Sequence, residues 1–301
     1  MFDGRGMKHS FRRSSLNSHK REAPGIGTSP DLMMTTGQQK RTGKIALLFT
    51  PGRICVSAFF SLGFTAACAF SSLCHNVNVP GDSLSSRLVQ VRERIASACA
   101  RSGRSPESVR LLAVTKVFGP DAIRDAYALG LRDFGENYVQ EMERKAPAIA
   151  DLAGAHFHLI GHLQANKTKK AVQLFSAIDS VDTGKLASRL NAEGKPVDVM
   201  IEVKLSSEAS KSGVAPGYLP ELVNAIGNCP NLRLTGLMTV PPWSEDPEQS
   251  RPYFARLRAL AEDFGLAELS MGMSNDLEVA IEEGATWVRV GTALFGSRRR
   301  P

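Results

Sequence analysis

Eight strand-like runs alternating with helical patterns predict a (β/α)8 TIM barrel, a single α/β domain over residues 83–298. Two further observations favour it. Polar residues accumulate directly after the strand-like runs, where the mouth of such a barrel lies. The first run leads into Val117-Phe118-Gly119-Pro120, whereas the competing architecture, a doubly wound open sheet, wants a glycine-rich turn there.

Residues 1–80 are read as an N-terminal extension. Residues 1–43 are rich in Arg, Lys, Ser, Gly and Thr without apolar periodicity, a composition that predicts disorder. The stretch 54–74 has no charged residue and is long enough to span a bilayer. Together with Arg53 and Ala66-Ala67-Cys68-Ala69 it also fits a signal-peptide template, although too many residues precede it for an ordinary n-region. Its Ser, Thr, Cys and Gly content makes a poor membrane segment. The reading preferred here is an appendage, or a start codon placed too far upstream, on a domain complete without it, and the expectation is a cytoplasmic protein with membrane association as a minor alternative.

The net charge is +7. Residues 1–53 hold ten Lys/Arg against Asp3, Glu22 and Asp31, and the remaining residues carry 27 charges of each sign. The body therefore has no electrostatic footprint for a phosphate backbone, and nucleic-acid binding is not expected. Five cysteines, Cys55, Cys68, Cys74, Cys99 and Cys229, have no metal-ligand spacing and suit a reducing compartment.

The domain opens with Leu88, Val91, Ile95 and Cys99 at helical spacing through Arg101. The first strand is the run 111–116, ending on Lys116. A helix over 121–129 follows, closed by Gly130. The later strands are expected at 132–138, 157–161, 177–181, 197–204, 232–240, 269–273 and 287–290. Between them lie helices at 139–149, 167–175, 184–192, 216–226, 250–264 and 276–283.

A barrel places functional groups just after its strands. Lys116 is then the candidate nucleophile, against the ordinary alternative of a solvated surface lysine. Ser274 precedes a helix expected to start near Asp276, so its hydroxyl and the nearby amides can cap that helix or hold an anion. Gly291 and Thr292 follow the eighth strand, and the loops after strands seven and eight are the recurrent phosphate site of this barrel. An amine facing a phosphate cradle points to a phosphorylated aldehyde, pyridoxal phosphate, held as a Schiff base. Such an amine must be accessible in its neutral form, and a second cation such as Lys211 lowers its pKa in that direction. Arg289 can approach the pyridine nitrogen and weaken the ring as an electron sink, or else form a salt bridge with a barrel carboxylate. His156, His158 and His162 lack a carboxylate at metal-site spacing, so no metal is expected.

Seven segments, Ala113-Val114-Thr115-Lys116, Phe134-Gly135-Glu136-Asn137-Tyr138-Val139-Gln140-Glu141, His158-Leu159-Ile160-Gly161 with Leu163-Gln164-Ala165-Asn166-Lys167, Ser210-Lys211-Ser212-Gly213, Gly236-Leu237-Met238, 269–276 and 288–296, resemble the YggS/PROSC family in unbroken order. That is the family of pyridoxal phosphate homeostasis proteins. The resemblance implies a barrel like the N-terminal domain of alanine racemase, with Lys116 forming the Schiff base. It places Ser274, Arg289, Gly291 and Thr292 around the phosphate and ring, and Asn137, Glu208 and Lys211 at polar positions near the cofactor. It implies no catalytic residue, and pyridoxal phosphate-dependent apoenzymes as partners. One departure is Phe118, where some relatives have a second lysine. The alternative is a pyridoxal phosphate-dependent amino-acid racemase, which needs a second base on the opposite face of the cofactor, usually from another domain. The sequence ends at Pro301, soon after the eighth strand, and is expected to lack one.

Overall fold

The structure is a computed structural model that describes residues 83–208 and 212–296. The apolar stretch 54–74 and Lys211 lie outside the described residues. Those described belong to the second of two compact units, Met1–Leu73 and Cys74–Pro301.

Eight parallel strands close into a barrel in sequence order. They are β1 (Arg110–Val114), β2 (Asp133–Glu136), β3 (His156–Leu159), β4 (Ala177–Val181), β5 (Val197–Glu202), β6 (Leu232–Met238), β7 (Glu268–Met273) and β8 (Trp287–Val290). The seam closes by register, with Leu112 opposite Arg289 and Ala113 opposite Val290. Helix α1 (Leu84–Arg101) precedes the barrel. After successive strands come α2 (Pro120–Ala128), α3 (Val139–Lys145), α4 (Thr168–Leu174), α5 (Gly184–Ala192), α6 (Leu219–Gly227), α7 (Arg251–Asp263), α8 (Leu277–Glu282) and the single turn α9 (Thr292–Phe295).

Local chemistry sets these boundaries. Ser83 caps α1 by accepting the Ser86 N–H at 3.2 Å, and Leu88, Val91, Ile95 and Cys99 form its buried face. Helix α2 starts on Pro120, whose missing N–H costs nothing at a first helical position, and is followed by Gly130 at φ +90°. The helix expected over 139–149 is shorter. It ends at Lys145 and passes into a 3-10 turn over Ala146–Ala148, because Pro147 cannot donate within an α-helix and its ring clashes with the preceding turn.

Alternation along the strands builds two layers. Ala113, Phe134, Leu159, Ile178, Val199, Ile201, Leu237, Val288 and Val290 face outward into the sheet–helix core, where they are fully buried. Leu112, Met200 and Trp287 pack inside the barrel with Ile160 against them. Leu112 and Val114 point inward on β1, and the same period carries Lys116 to the inner face just beyond the strand. Helix α1 packs on α8 and α9. Its Arg87 Nε donates to the Leu294 carbonyl at 2.6 Å and its Arg94 Nη2 to the Ser274 carbonyl at 3.0 Å. The opening helix thus anchors the loops after β7 and β8.

Candidate functional site

At the carboxyl ends of the strands lies a cavity of about 550 Å³. Lys116, Asn137, Ser274, Arg289, Gly291 and Thr292 all line it, with Phe118, Ile160, Met273, Asp276 and an exposed Trp243 among their neighbours. Closure of the barrel brings β1 beside β8, so residues 116 and 292 meet one space although 176 positions separate them. Glu208 is not among the lining residues. It is exposed in the loop after β5, directly before residues 209–211, Lys211 included, which lie outside the described residues.

Lys116 does not end a strand. Strand β1 ends at Val114, although the Thr115 N–H still donates to the Gly135 carbonyl at 3.0 Å, and 115–118 form a turn in which the Phe118 N–H donates to the Thr115 carbonyl at 3.1 Å. Val117, the third residue of this turn, has φ +66° and is the one non-glycine among the described residues with positive φ. A type II turn requires positive φ there and normally uses glycine. For a β-branched side chain the conformation is strained by ~1–3 kcal/mol.

Behind this turn, on the outer face of the sheet, lies a buried ionic cluster. Lys145 is 5% exposed and Glu136 is fully buried. The Lys145 ammonium donates to the Thr115 carbonyl at 2.9 Å and to Glu136 Oε1 at 2.7 Å, and it pairs with Glu141 Oε1 at 2.8 Å. Its three N–H groups are thereby satisfied. Glu136 Oε1 also accepts the Thr115 hydroxyl at 2.6 Å, and Glu141 Oε1 accepts the Val117 N–H at 2.6 Å. Burial pushes the Glu136 carboxyl above the usual range, with Lys145 and Thr115 opposing. The cluster was not anticipated from the sequence. A signal was present: Val139, Met142 and Lys145 recur every three residues and share the buried stripe of α3, an unusual place for an unpaired lysine.

On the opposite side, Gly272, within the last residues of β7, has φ +88°, and a Cβ there would sit 2.4 Å from the Ala280 Cβ. Ser274 does not cap the following helix as expected. Helix α8 starts at Leu277, and Asp276 Oδ1 accepts the Met273 N–H at 2.7 Å while its Oδ2 accepts the Ser250 hydroxyl at 2.9 Å. The Ser274 hydroxyl instead accepts the Ala293 N–H at 3.2 Å, tying the β7 and β8 loops together. Arg289 is buried, and its hydrogen bonds go to neutral groups rather than to a carboxylate, the alternative partner. Its Nη1 donates to the Ser270 carbonyl at 2.6 Å and hydroxyl at 2.9 Å, and its Nη2 to the Thr239 carbonyl at 2.8 Å. Burial pushes this guanidinium below its ordinary value, partly offset by the charges of Asp179, Asp276 and Glu202. Phe118 packs on Phe295 with ring centroids 5.2 Å apart.

The histidines separate: His158 Nδ1 lies 3.2 Å from Asp179 and His162 Nδ1 3.4 Å from Asp182. Among the described residues no group of three metal-ligating side chains occurs, and no helix is long and apolar enough to cross a membrane.

The donor set suits a phosphorylated carbonyl compound. One wall offers an amine, the other offers hydroxyls and a guanidinium, and between them Asn137 Oδ1 is buried with no hydrogen-bond partner. A buried amide oxygen left unpaired is costly, and a polar ligand in the cavity can satisfy it.

Comparison with known proteins bears on the same segment. Residues 87–299 match the family described as alanine racemase, N-terminal domain. The chain is 48% identical over 221 residues to the pyridoxal phosphate homeostasis protein of Pseudomonas aeruginosa, covering 71% of this chain and 96% of that one. To its Escherichia coli counterpart it is 42% identical over 226 residues, covering 70% and 95%. Among solved structures, PipY of Synechococcus elongatus with pyridoxal phosphate bound is 40% identical, with a TM-score of 0.61, and covers 69% of this chain and 100% of its own. Alanine racemase of Clostridium difficile, 14% identical with a TM-score of 0.56 over 73% of this chain and 58% of that one, shares the fold alone.

Proposed function

The chain belongs to the family of pyridoxal phosphate homeostasis proteins, and from that premise we propose that its barrel, residues 83–298, binds pyridoxal 5'-phosphate and serves the cofactor pool as a carrier. When bound, the cofactor supplies an aldehyde with which a neutral amine condenses. In this reading Lys116 provides the amine, and Ser274, Gly291 and Thr292 hold the phosphate. Arg289 faces the ring nitrogen and opposes its protonation, which disfavours the carbanion chemistry a racemase needs. Asn137 supplies a polar contact near the ring through its unpaired oxygen.

The observation that carries the proposal is the meeting of Lys116 with Ser274, Arg289 and Thr292 around one cavity. The carrier role, rather than a racemase, rests on the family's name and on an arginine, Arg289, in the cavity wall, held by hydrogen bonds to Ser270 and Thr239. The partners in this reading are apoenzymes that receive the cofactor, and its place is the cytoplasm.

The test is spectroscopic. Purified protein mixed with pyridoxal phosphate should show a visible imine band, absent in Lys116→Ala. Borohydride treatment should fix the cofactor to Lys116 and to no other lysine. Adding alanine should give no interconversion of its enantiomers. Persistence of the band in Lys116→Ala removes the assignment of the amine, and measurable racemisation removes the carrier role.

A further inference from the structure

We infer that Lys145 and Glu141 form a positioning device for Lys116, holding the residues on both sides of it from behind the sheet. This rests on Lys116 being the cofactor's amine and adds how that amine is aimed. Thr115 is fixed directly, its carbonyl by the Lys145 ammonium at 2.9 Å and its hydroxyl through Glu136. Val117 is fixed through Glu141, whose Oε1 accepts the Val117 N–H at 2.6 Å and forms an ion pair with the Lys145 ammonium at 2.8 Å. From this turn Lys116 and Phe118 line the cavity, and Lys116 is the one that brings an amine to it.

The strain at Val117 gives the device a purpose. Released from Glu141, a valine at φ +66° relaxes toward negative φ, because its Cβ clashes with the neighbouring carbonyl in the left-handed region. That rotation changes the direction of the peptide between 116 and 117 and swings the Lys116 side chain off its line. The charged hydrogen bond to Glu141 is of the stronger, charge-assisted kind. Lys145 in turn keeps the Glu141 carboxylate in place, from one turn further along α3.

A glycine at 117 adopts positive φ at no steric cost, so it should make the device dispensable. In Glu141→Ala, the affinity for pyridoxal phosphate, read by titrating the visible band, should fall roughly tenfold to a hundredfold, the scale of a misaimed reacting group. The pH midpoint of the band should move with it. Glu141→Ala combined with Val117→Gly should recover most of both losses. A second readout needs no cofactor: the rate at which Lys116 is reductively methylated in the apoprotein, followed by mass spectrometry, should change in Glu141→Ala and return in the double variant. Wild-type affinity and Lys116 reactivity in Glu141→Ala overturn the inference. So does a loss that glycine fails to rescue, since the carboxylate then acts by some route other than holding Val117. Should the wild-type chain itself show no band that depends on Lys116, the carrier reading fails instead, and the methylation rates still decide whether Glu141 controls the Lys116 turn.

Discussion

The two sides of the barrel mouth are held by opposite means. Behind β1 and β2, a buried ammonium and two carboxylates clamp a turn that contains a strained valine. Around β7 and β8, the buried cation has neutral hydrogen-bond partners: backbone carbonyls and a serine hydroxyl hold Arg289, the Ser274 hydroxyl accepts an N–H from the neighbouring loop, and Asp276 and Arg94 bind backbone groups there. The difference follows from what each side presents. A flexible four-carbon amine has to be aimed, so its backbone is pinned on both flanks. In the proposed reading a phosphate is met by hydroxyls and amides whose direction the backbone already sets, so no buried ion cluster is needed to aim them.

Breaking one side at a time sharpens this contrast. Lys145→Met nearly conserves volume but leaves Glu136 and Glu141 without their cation. Removing one partner of a buried ion cluster is expected to cost ~3–5 kcal/mol of folding stability, measured by urea unfolding at neutral pH. Arg289→Met is the matching change on the other side. It strands the Ser270 and Thr239 carbonyls, and a loss of about 2–3 kcal/mol is expected from unpaired buried acceptors. If Arg289→Met proves the costlier of the two, the nearby charges of Asp179, Asp276 and Glu202 weigh more than its hydrogen bonds, and the β8 side is no longer the neutral one.

Much of this was legible in the sequence because a barrel turns order into position. Once eight strands are recognised from apolar runs, residues just after strands one, two, seven and eight must face one mouth, and Lys116, Asn137, Ser274, Arg289, Gly291 and Thr292 do line one cavity. Pairings across the fold were not legible. Nothing local to Ser274 shows that its hydroxyl meets Ala293 rather than the start of α8. Nothing near Val117 shows that its amide finds a carboxylate 24 positions away. Lys145 stood on the apolar stripe of its helix, yet its partners Thr115 and Glu136 lie just after β1 and at the end of β2, and only packing of the sheet against α3 brings them together.

The smallest expected effect concerns a pair in the barrel interior, between the two sides. His158 on β3 faces Asp179 on β4 at 3.2 Å and packs on the Trp287 ring at 4.9 Å. Burial alone pushes its imidazole down, but the charge and hydrogen bond of Asp179 more than compensate, and the net direction is upward. A histidine whose folded-state pKa lies above its unfolded value binds its proton more tightly when folded. The stability it contributes is fully present below about pH 6.5, the unfolded value, and is lost as pH rises through the folded one. Thermal unfolding followed from slightly acidic to mildly alkaline pH should therefore show a falling Tm that Asp179→Asn flattens. The same substitution removes a negative charge that acts on Arg289, so it also tests whether the interior pair reaches the β8 wall. A slope that survives in Asp179→Asn assigns the pH dependence to groups other than this pair and leaves the two sides of the mouth electrostatically separate.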